Sequence, residues 1–112
     1  MNYAEMSDAE IAEAVIKTIT LDDCEYWRPS ATGRGVVIVN DDNETMRTFD
    51  PCDNPADAWL LMEKKRIGLH PDAETGGWTA VRSIYKSKNV RYAKPFRAVA
   101  ILFLMIEAET GK

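Results

Sequence analysis

Four side chains that could bind a metal ion lie close together in the sequence FDPCDNPADAW, residues 49–59. They are Asp50, Cys52, Asp53 and Asp57, and carboxylates and thiolates are common metal ligands in proteins. The spacing does not match a metal motif, because the sequence has no CxxC or HxxxH pair and no calcium loop with alternating acidic ligands around a central glycine. The same residues suit the junction between a strand and a helix. We therefore expect no bound metal and no cofactor.

Nucleophilic catalysis is the next possibility, and it depends on the single histidine, His70. A Ser-His-Asp or Cys-His site would have to use this residue, yet no serine or cysteine lies in a nucleophile motif. Gly33 and Gly35 precede a predicted strand, whereas a dinucleotide-binding loop follows a strand, opens a helix and has a third glycine. We expect a protein that is not an enzyme and has no catalytic residue.

Charge is distributed unevenly along the chain. Residues 1–57 hold 13 acidic and 4 basic side chains, whereas residues 58–112 hold 5 acidic and 10 basic ones. In the basic half, cations alternate with aromatic residues over positions 78–97, and single-stranded nucleic-acid sites combine cations for phosphates with rings that stack on bases. The nucleic-acid candidates in this segment are Arg82, Tyr85, Lys86, Lys88, Arg91 and Tyr92.

Two observations oppose that interpretation. Alternation of this kind is also typical of a half-buried hairpin, with rings facing inward and cations facing water. The sequence pI of about 5.0 is unfavourable for general nucleic-acid affinity.

The acidic half suggests the opposite partner, a protein with a basic surface, although a solvated helix face gives the same pattern. The protein-partner candidates are Glu10, Glu13, Asp22, Asp23, Tyr26 and Trp27.

Local signals in the first half predict one helix and one hairpin. Ser7 to Glu10 has the form of a capping box, so a helix should begin there and bury Ile11, Val15 and Ile19 on one face. Residues 20–35 lack periodicity and are predicted to form a connection in which Tyr26 and Trp27 fold back onto the core. The β-rich runs VVIVN and ETMRTF, joined by Asp-Asp-Asn, predict a β-hairpin.

The second half is predicted to begin with a helix after Asn54, a preferred N-cap, with Pro55 at its first position. A third strand should start near Ile67, and a polar loop should cover residues 70–77. The runs WTAVRSIY and NVRYA then predict a second strand pair. Pro95 should open a helix that is apolar nearly all round, which indicates burial in the core or at a subunit interface.

The order α-ββ-α-βββ-α predicts an α+β fold, with a small, mainly antiparallel sheet of four to five strands covered by three helices. The length of 112 residues fits a single domain covering residues 1–112. The longest apolar run is shorter than the roughly 20 residues that a membrane span needs, and the N-terminus has no secretory pattern. We expect a cytoplasmic protein with no membrane partner.

Three segments together resemble the NinX-like proteins of lambda-like phages and prophages. They are MSDAEIAEAVIKTIT, FDPCDNPADAWLLMEKKRIGL and KPFRAVAILFLMIEAETG, and CDNPADAW is the most specific part. The resemblance implies a phage-encoded accessory protein of unknown biochemical role in the bacterial cytoplasm. It provides no catalytic or binding residues that could be transferred to this sequence.

Two functions follow as hypotheses. The first is a non-enzymatic module that binds a host or phage protein, for instance a counter-defence inhibitor such as an anti-CRISPR. The alternative is a single-stranded nucleic-acid-binding module that uses segment 78–97. A homodimer through the C-terminal helix is a further possibility. Exposed rings grouped with cations would favour nucleic acid, and an exposed apolar patch would favour a protein partner or self-association.

Overall fold

The computed structural model of the protein describes residues 3–19, 21, 24–31, 33, 35–74, 76–82 and 89–110. After a short 3-10 turn, these residues form helices and strands in the order αβββαβββα. The bounds are α1 (Asp8–Ile16), β1 (Glu25–Pro29), β2 (Val36–Asn40), β3 (Thr45–Phe49), α2 (Pro55–Lys65), β4 (Ile67–Pro71), β5 (Trp78–Arg82), β6 (Asn89–Tyr92) and α3 (Pro95–Thr110). The chain divides into two compact units, Met1–Asp50 and Pro51–Lys112.

Helix α1 begins at the predicted capping box. The Glu10 amide donates to Ser7 Oγ at 3.1 Å, and the Ser7 amide donates to Glu10 Oε1 at 2.9 Å. Both otherwise unsatisfied amides are therefore bonded, as a capping box requires. The buried residues of the helix are Ile11, Ala12, Val15 and Ile16. Ile19, which we expected on the same face, lies beyond the helix end and is half-buried.

Strands β1, β2 and β3 form an antiparallel sheet with β2 in the centre. The predicted hairpin of β2 and β3 is confirmed. Its turn is held by Asn40, whose Oδ1 accepts from the amides of Asp42 at 3.0 Å and Glu44 at 2.9 Å. Asn43 in this turn has a left-handed φ of 61°, a conformation that asparagine adopts more readily than most residues.

Strand β1 was not expected. The prediction of a connection over residues 20–35 is wrong at Glu25–Pro29, which pairs with β2 over its whole length. This strand lies at the edge of the sheet, where a proline without an amide hydrogen is tolerated. Its sequence EYWRP has no apolar alternation, because one face is only half-buried, at Glu25 and Trp27, and the other is exposed.

Helix α2 begins, as predicted, directly after Asn54 at the start of the second unit. The Ala56 amide donates to Asn54 Oδ1 at 2.9 Å, and Pro55 occupies the first helical position. The helix ends at Arg66, which adopts the left-handed conformation with φ 55° and ψ 46°. Strand β4 starts at the next residue, so the two elements are joined without a loop. Ala58 and Leu61 are buried.

Strands β4, β5 and β6 form a second antiparallel sheet, with β5 in the centre. The predicted strand near Ile67 and the predicted strand pair after it are confirmed. The predicted loop 70–77 is shorter, because His70 and Pro71 still pair with β5. Helix α3 packs on β5, β6 and α2. Its apolar residues from Ala98 to Leu104 are buried within the chain. The possible homodimer through this helix stays a prediction.

The α+β class, the antiparallel pairing and the alternation of helices with strands are confirmed. The structure adds strand β1 and distributes the strands over two sheets of three. The single domain over residues 1–112 stays a prediction. None of the helices formed by the described residues has the length and hydrophobicity needed to cross a bilayer.

Candidate partner-binding surfaces

The predicted acidic candidates divide into those with a structural task and those outside the described residues. Glu10 is exposed, but its carboxylate accepts from the Ser7 amide as part of the capping box. The Ser7 amide, followed by the Ser7 hydroxyl contact, lowers the pKa of this carboxyl below its usual value. Glu13 is half-buried on the same helix. Asp22 and Asp23 lie outside the described residues.

The two aromatic candidates of β1 point to opposite faces of the first sheet. Trp27 is half-buried, and Lys17 Nζ at the end of α1 lies 6.0 Å from the centre of its ring. Trp27 is therefore on the inner face, where α1 packs and where its register partner Ile38 is buried. Because successive residues of a strand alternate between faces, Tyr26 is on the other face. The structure does not bring Tyr26 together with Trp27 and α1.

This other side, which we call the outer face, exposes a mixed apolar and polar surface. It comprises Tyr26, Arg28, Val37 and Thr48, according to strand alternation and the register Arg28↔Val37↔Thr48. Met46 lies in β3 at the register shift opposite Ile38 and Val39, where alternation does not place it on this face. Tyr26 is 45% exposed and Met46 54% exposed. The expectation that Tyr26 folds back onto the core is therefore wrong for this residue. Met46 was missed by sequence reasoning, which treated its strand only as half of a hairpin.

A groove of about 710 Å³ lies at one end of the outer face. The Arg28 guanidinium borders it and donates to Asn43 Oδ1 at 3.2 Å, which fixes the Arg28 side chain across the hairpin turn. Val37 contributes an apolar side chain to the lining, and three residues contribute hydroxyl groups. The remaining lining residues are Pro29, Ser30, Ala31, Thr45, Thr48 and Asp50. Such a combination of hydroxyl, guanidinium and aliphatic groups suits contact with a polypeptide.

The uneven charge distribution largely coincides with the division into two units. Met1–Asp50 holds 11 acidic and 4 basic side chains, whereas Pro51–Lys112 holds 7 acidic and 10 basic ones. The net charge is therefore negative in Met1–Asp50 and positive in Pro51–Lys112. The outer face belongs to the acidic unit, and its own cation Arg28 is bonded to Asn43.

A second exposed apolar site lies on helix α2. Trp59 is 58% exposed and Leu60 40% exposed. A groove of about 480 Å³ runs beside them, lined by Trp59, Met62, Glu63, Arg66, Ile67 and Gly68. Sequence analysis did not identify Trp59 as a surface residue. The signal for exposure was present, because four consecutive apolar residues, AWLL, are more than the buried stripe of one helical turn can accommodate.

The nucleic-acid candidates are only partly described. Arg82 is half-buried at the end of β5. Tyr85, Lys86 and Lys88 lie outside the described residues, and so do the side chains of Arg91 and Tyr92. Elsewhere in the basic segment, the Trp78 ring is half-buried, and Lys94 Nζ lies 3.5 Å from an Asp53 oxygen. The described part therefore shows no exposed ring grouped with cations in this segment.

The potential metal ligands near residue 50 have other surroundings. Cys52 is 2% exposed and belongs to the core, whereas Cys24 is exposed. Asp53 contacts Lys94, and Asp57 lies in the first turn of α2. Among the residues that the structure describes, no group of three His, Cys, Asp or Glu side chains could hold an ion. Of this segment, it is Asn54 that carries out the predicted capping.

Comparison with known protein families gave a match that covers nearly the whole chain. The family model described as bacteriophage P22, NinX matches residues 2–107, nearly the whole chain. Neither the curated proteins nor the solved structures gave a match.

Proposed function

We infer that, since this chain belongs to the bacteriophage P22 NinX family, it is a phage accessory protein that works by binding another protein and not by catalysis. Its partner is a host or phage protein inside the infected bacterial cell. A defence complex such as a CRISPR effector is one class of host target that this proposal includes.

The observation that carries the proposal is the exposure of Tyr26 on the outer face, together with the exposure of Met46 at the register shift of β3. These residues lie on β1 and β3, the two edge strands of the first sheet. Tyrosine and methionine are enriched in the cores of protein interfaces. Their side chains offer apolar area on a sheet whose backbone is fixed by pairing, so little ordering entropy is lost on binding.

Charge indicates the kind of partner. The acidic unit would attract a basic protein surface and repel nucleic acid and acidic proteins, because complementary fields accelerate encounter and like charges prevent it. The excess of acidic over basic residues in Met1–Asp50 supports this choice. We propose that the apolar residues of the outer face provide the contact and that the surrounding acids provide selectivity.

Site-specific photocrosslinking during phage infection tests the proposal. A benzophenone amino acid replaces Tyr26 or Met46, and a control places it at Glu74, an exposed residue of the other unit. We expect a discrete crosslinked protein from positions 26 and 46 but not from position 74. Crosslinks that are absent, or equal at all three positions, would contradict the proposal.

The alternative function, binding of single-stranded nucleic acid by segment 78–97, retains one supporting observation. The unit that contains this segment has an excess of basic residues. Of its candidate side chains, Arg82 is half-buried, which makes it less suited to a phosphate contact than an exposed cation. This alternative therefore depends on residues 85–92. Titration of the protein with an oligonucleotide distinguishes it from the protein-binding function.

A further inference from the structure

We propose that the groove beside helix α2 binds an extended polypeptide segment in which a basic residue and an acidic residue are separated by one residue. The cation of this segment lies against Trp59 and Glu63, and its carboxylate pairs with Arg66. The groove belongs to the second unit and the outer face to the first, so this proposal does not rest on the proposed function.

Two opposite charges line this groove without pairing with each other. Glu63 and Arg66 are both exposed, and both belong to the lining. Neither side chain forms a hydrogen bond or an ion pair with any residue that the structure describes. Lys65, the lysine next to Arg66, is already engaged, because it bonds Glu107 at 2.8 Å. A complementary occupant therefore presents one positive and one negative group.

The exposed ring of Trp59 makes one part of the groove suited to the positive group. Trp59 is 58% exposed, and Glu63 follows it at i+4, so the two side chains are neighbours on the surface of α2. A lysine or arginine head group can lie over the indole ring and beside the carboxylate at the same time. The face of an aromatic ring is negative and attracts cations. Met62, also in the lining, offers an apolar contact to the aliphatic stem of such a side chain.

The spacing of these groups along α2 matches an extended chain. At a helical rise of about 1.5 Å per residue, the midpoint between Trp59 and Glu63 lies about 7.5 Å along the helix from the level of Arg66. Side chains two residues apart in an extended chain point to the same face and lie about 6.6 Å apart. A cation and a carboxylate separated by one residue therefore reach both positions. Either order of the two charges fits, because an extended chain can run in either direction along the groove.

An edge strand completes the groove and also favours an extended occupant. Ile67 and Gly68, the first two residues of β4, belong to the lining. Among the described strands, β4 pairs only with β5, so the sheet does not use the backbone groups on the other edge of β4. An extended segment that passes Arg66 can hydrogen-bond to this edge, as peptides do when they add a strand to a sheet.

An NMR titration of the isotope-labelled full chain tests the site. The probes are the blocked peptide Ser-Ala-Lys-Ala-Glu-Ala-Ser and the same peptide with lysine and glutamate exchanged. At least one of them should shift the indole N–H signal of Trp59, which is identified by its loss in Trp59→Phe. The signals of Trp27 and Trp78 should stay in place. We expect a dissociation constant on the order of 1 mM, because a few exposed contacts provide the affinity.

A third peptide and two variants make the test specific. Ser-Ala-Lys-Ala-Ala-Glu-Ser places its charges on opposite faces of an extended chain and should bind about two- to fivefold more weakly, the loss of one exposed ion pair. Glu63→Gln and Arg66→Gln each remove one charge of the groove and should have an effect of about the same size. Glu74→Gln removes an exposed carboxylate of the same unit outside the groove, so it is the matched control and should leave the affinity unchanged.

The backbone amide signals of each variant verify that it is folded. If neither of the first two peptides shifts the Trp59 signal at about 10 mM, well above the expected dissociation constant, the proposal is overturned. Equal binding of the third peptide contradicts the extended register. An affinity that Glu63→Gln or Arg66→Gln leaves unchanged contradicts the charge pairing and overturns the proposal as well.

Discussion

Two glycines of the first unit provide a controlled test of how closely the end of β3 approaches the start of β2. Gly33 and Gly35 both have a left-handed backbone, with φ of 76° and 65°. A Cβ added at Gly33 would meet no atom within 4 Å. A Cβ added at Gly35 would collide with the carbonyl oxygen of Phe49 and would lie 2.9 Å from the Cβ of Asp50. Substitution by alanine therefore separates the backbone penalty from the collision.

The expected magnitudes follow from these two terms. The left-handed conformation costs an alanine about 1–2 kcal/mol, and reduced freedom of the unfolded chain offsets roughly 0.4–1 kcal/mol of that. Gly33→Ala should therefore lower the free energy of unfolding by about 1 kcal/mol. Gly35→Ala has the same penalty and in addition must displace backbone atoms, which costs about 1–3 kcal/mol more. The total for Gly35→Ala is roughly 2–4 kcal/mol, a large part of the stability of a typical domain.

Urea unfolding followed by far-ultraviolet circular dichroism and tryptophan fluorescence measures both values. With a slope of about 1.5 kcal/mol per molar urea, the midpoint should fall by roughly 0.7 M for Gly33→Ala. For Gly35→Ala it should fall by about 1.3–2.7 M, on the same slope. Equal midpoints for the two variants would show that β3 does not approach Gly35 as described, and the register of the first hairpin would then be wrong near Phe49.

Three further predictions concern the first helix, the second core and the basic segment. The native pKa of Glu10 is lowered from 4.5, so this carboxylate stabilises the fold above pH 4.5 and the stabilisation is lost as the pH falls through the native pKa. Glu10→Gln removes the titrating group. Thermal unfolding of this variant should therefore show a smaller loss of stability at acidic pH than the wild-type protein shows. Leu61→Ala should lower the free energy of unfolding by about 2–5 kcal/mol because Leu61 is fully buried. Leu60→Ala should change it far less because Leu60 is 40% exposed, and urea unfolding measures both values. If segment 78–97 binds single-stranded nucleic acid, fluorescence anisotropy should show binding of a labelled oligonucleotide with an affinity that decreases as the salt concentration rises. Lys88→Glu or Tyr85→Ala should weaken this binding. Absence of binding at low salt would exclude this function.

Local chemistry accounts for the parts of the fold that could be predicted. Ser7 with Glu10 and Asn54 with Pro55 specify helix starts through atoms a few residues away, so the sequence alone is sufficient there. The hairpin of β2 and β3 is similar, because Asn40 bonds the amides of its own turn.

The parts that could not be predicted depend on distant residues. Strand β1 exists because its backbone pairs with β2, and its partial burial leaves no periodic signal in EYWRP. The division of six strands into two sheets is likewise a matter of long-range pairing. The groove beside α2 depends on the left-handed backbone at Arg66, where a glycine would have indicated the turn and an arginine does not.

The two cysteines differ in exposure, so their rates of reaction with a thiol reagent can report local opening of the native protein. Cys24 is exposed and Cys52 is buried at the start of the second unit. A thiol reagent in excess should modify Cys24 at once, whereas Cys52 can react only when its surroundings open, since modification requires an accessible thiolate. The slow phase of such a reaction therefore reports how often this part of the native protein opens, without any label or substitution.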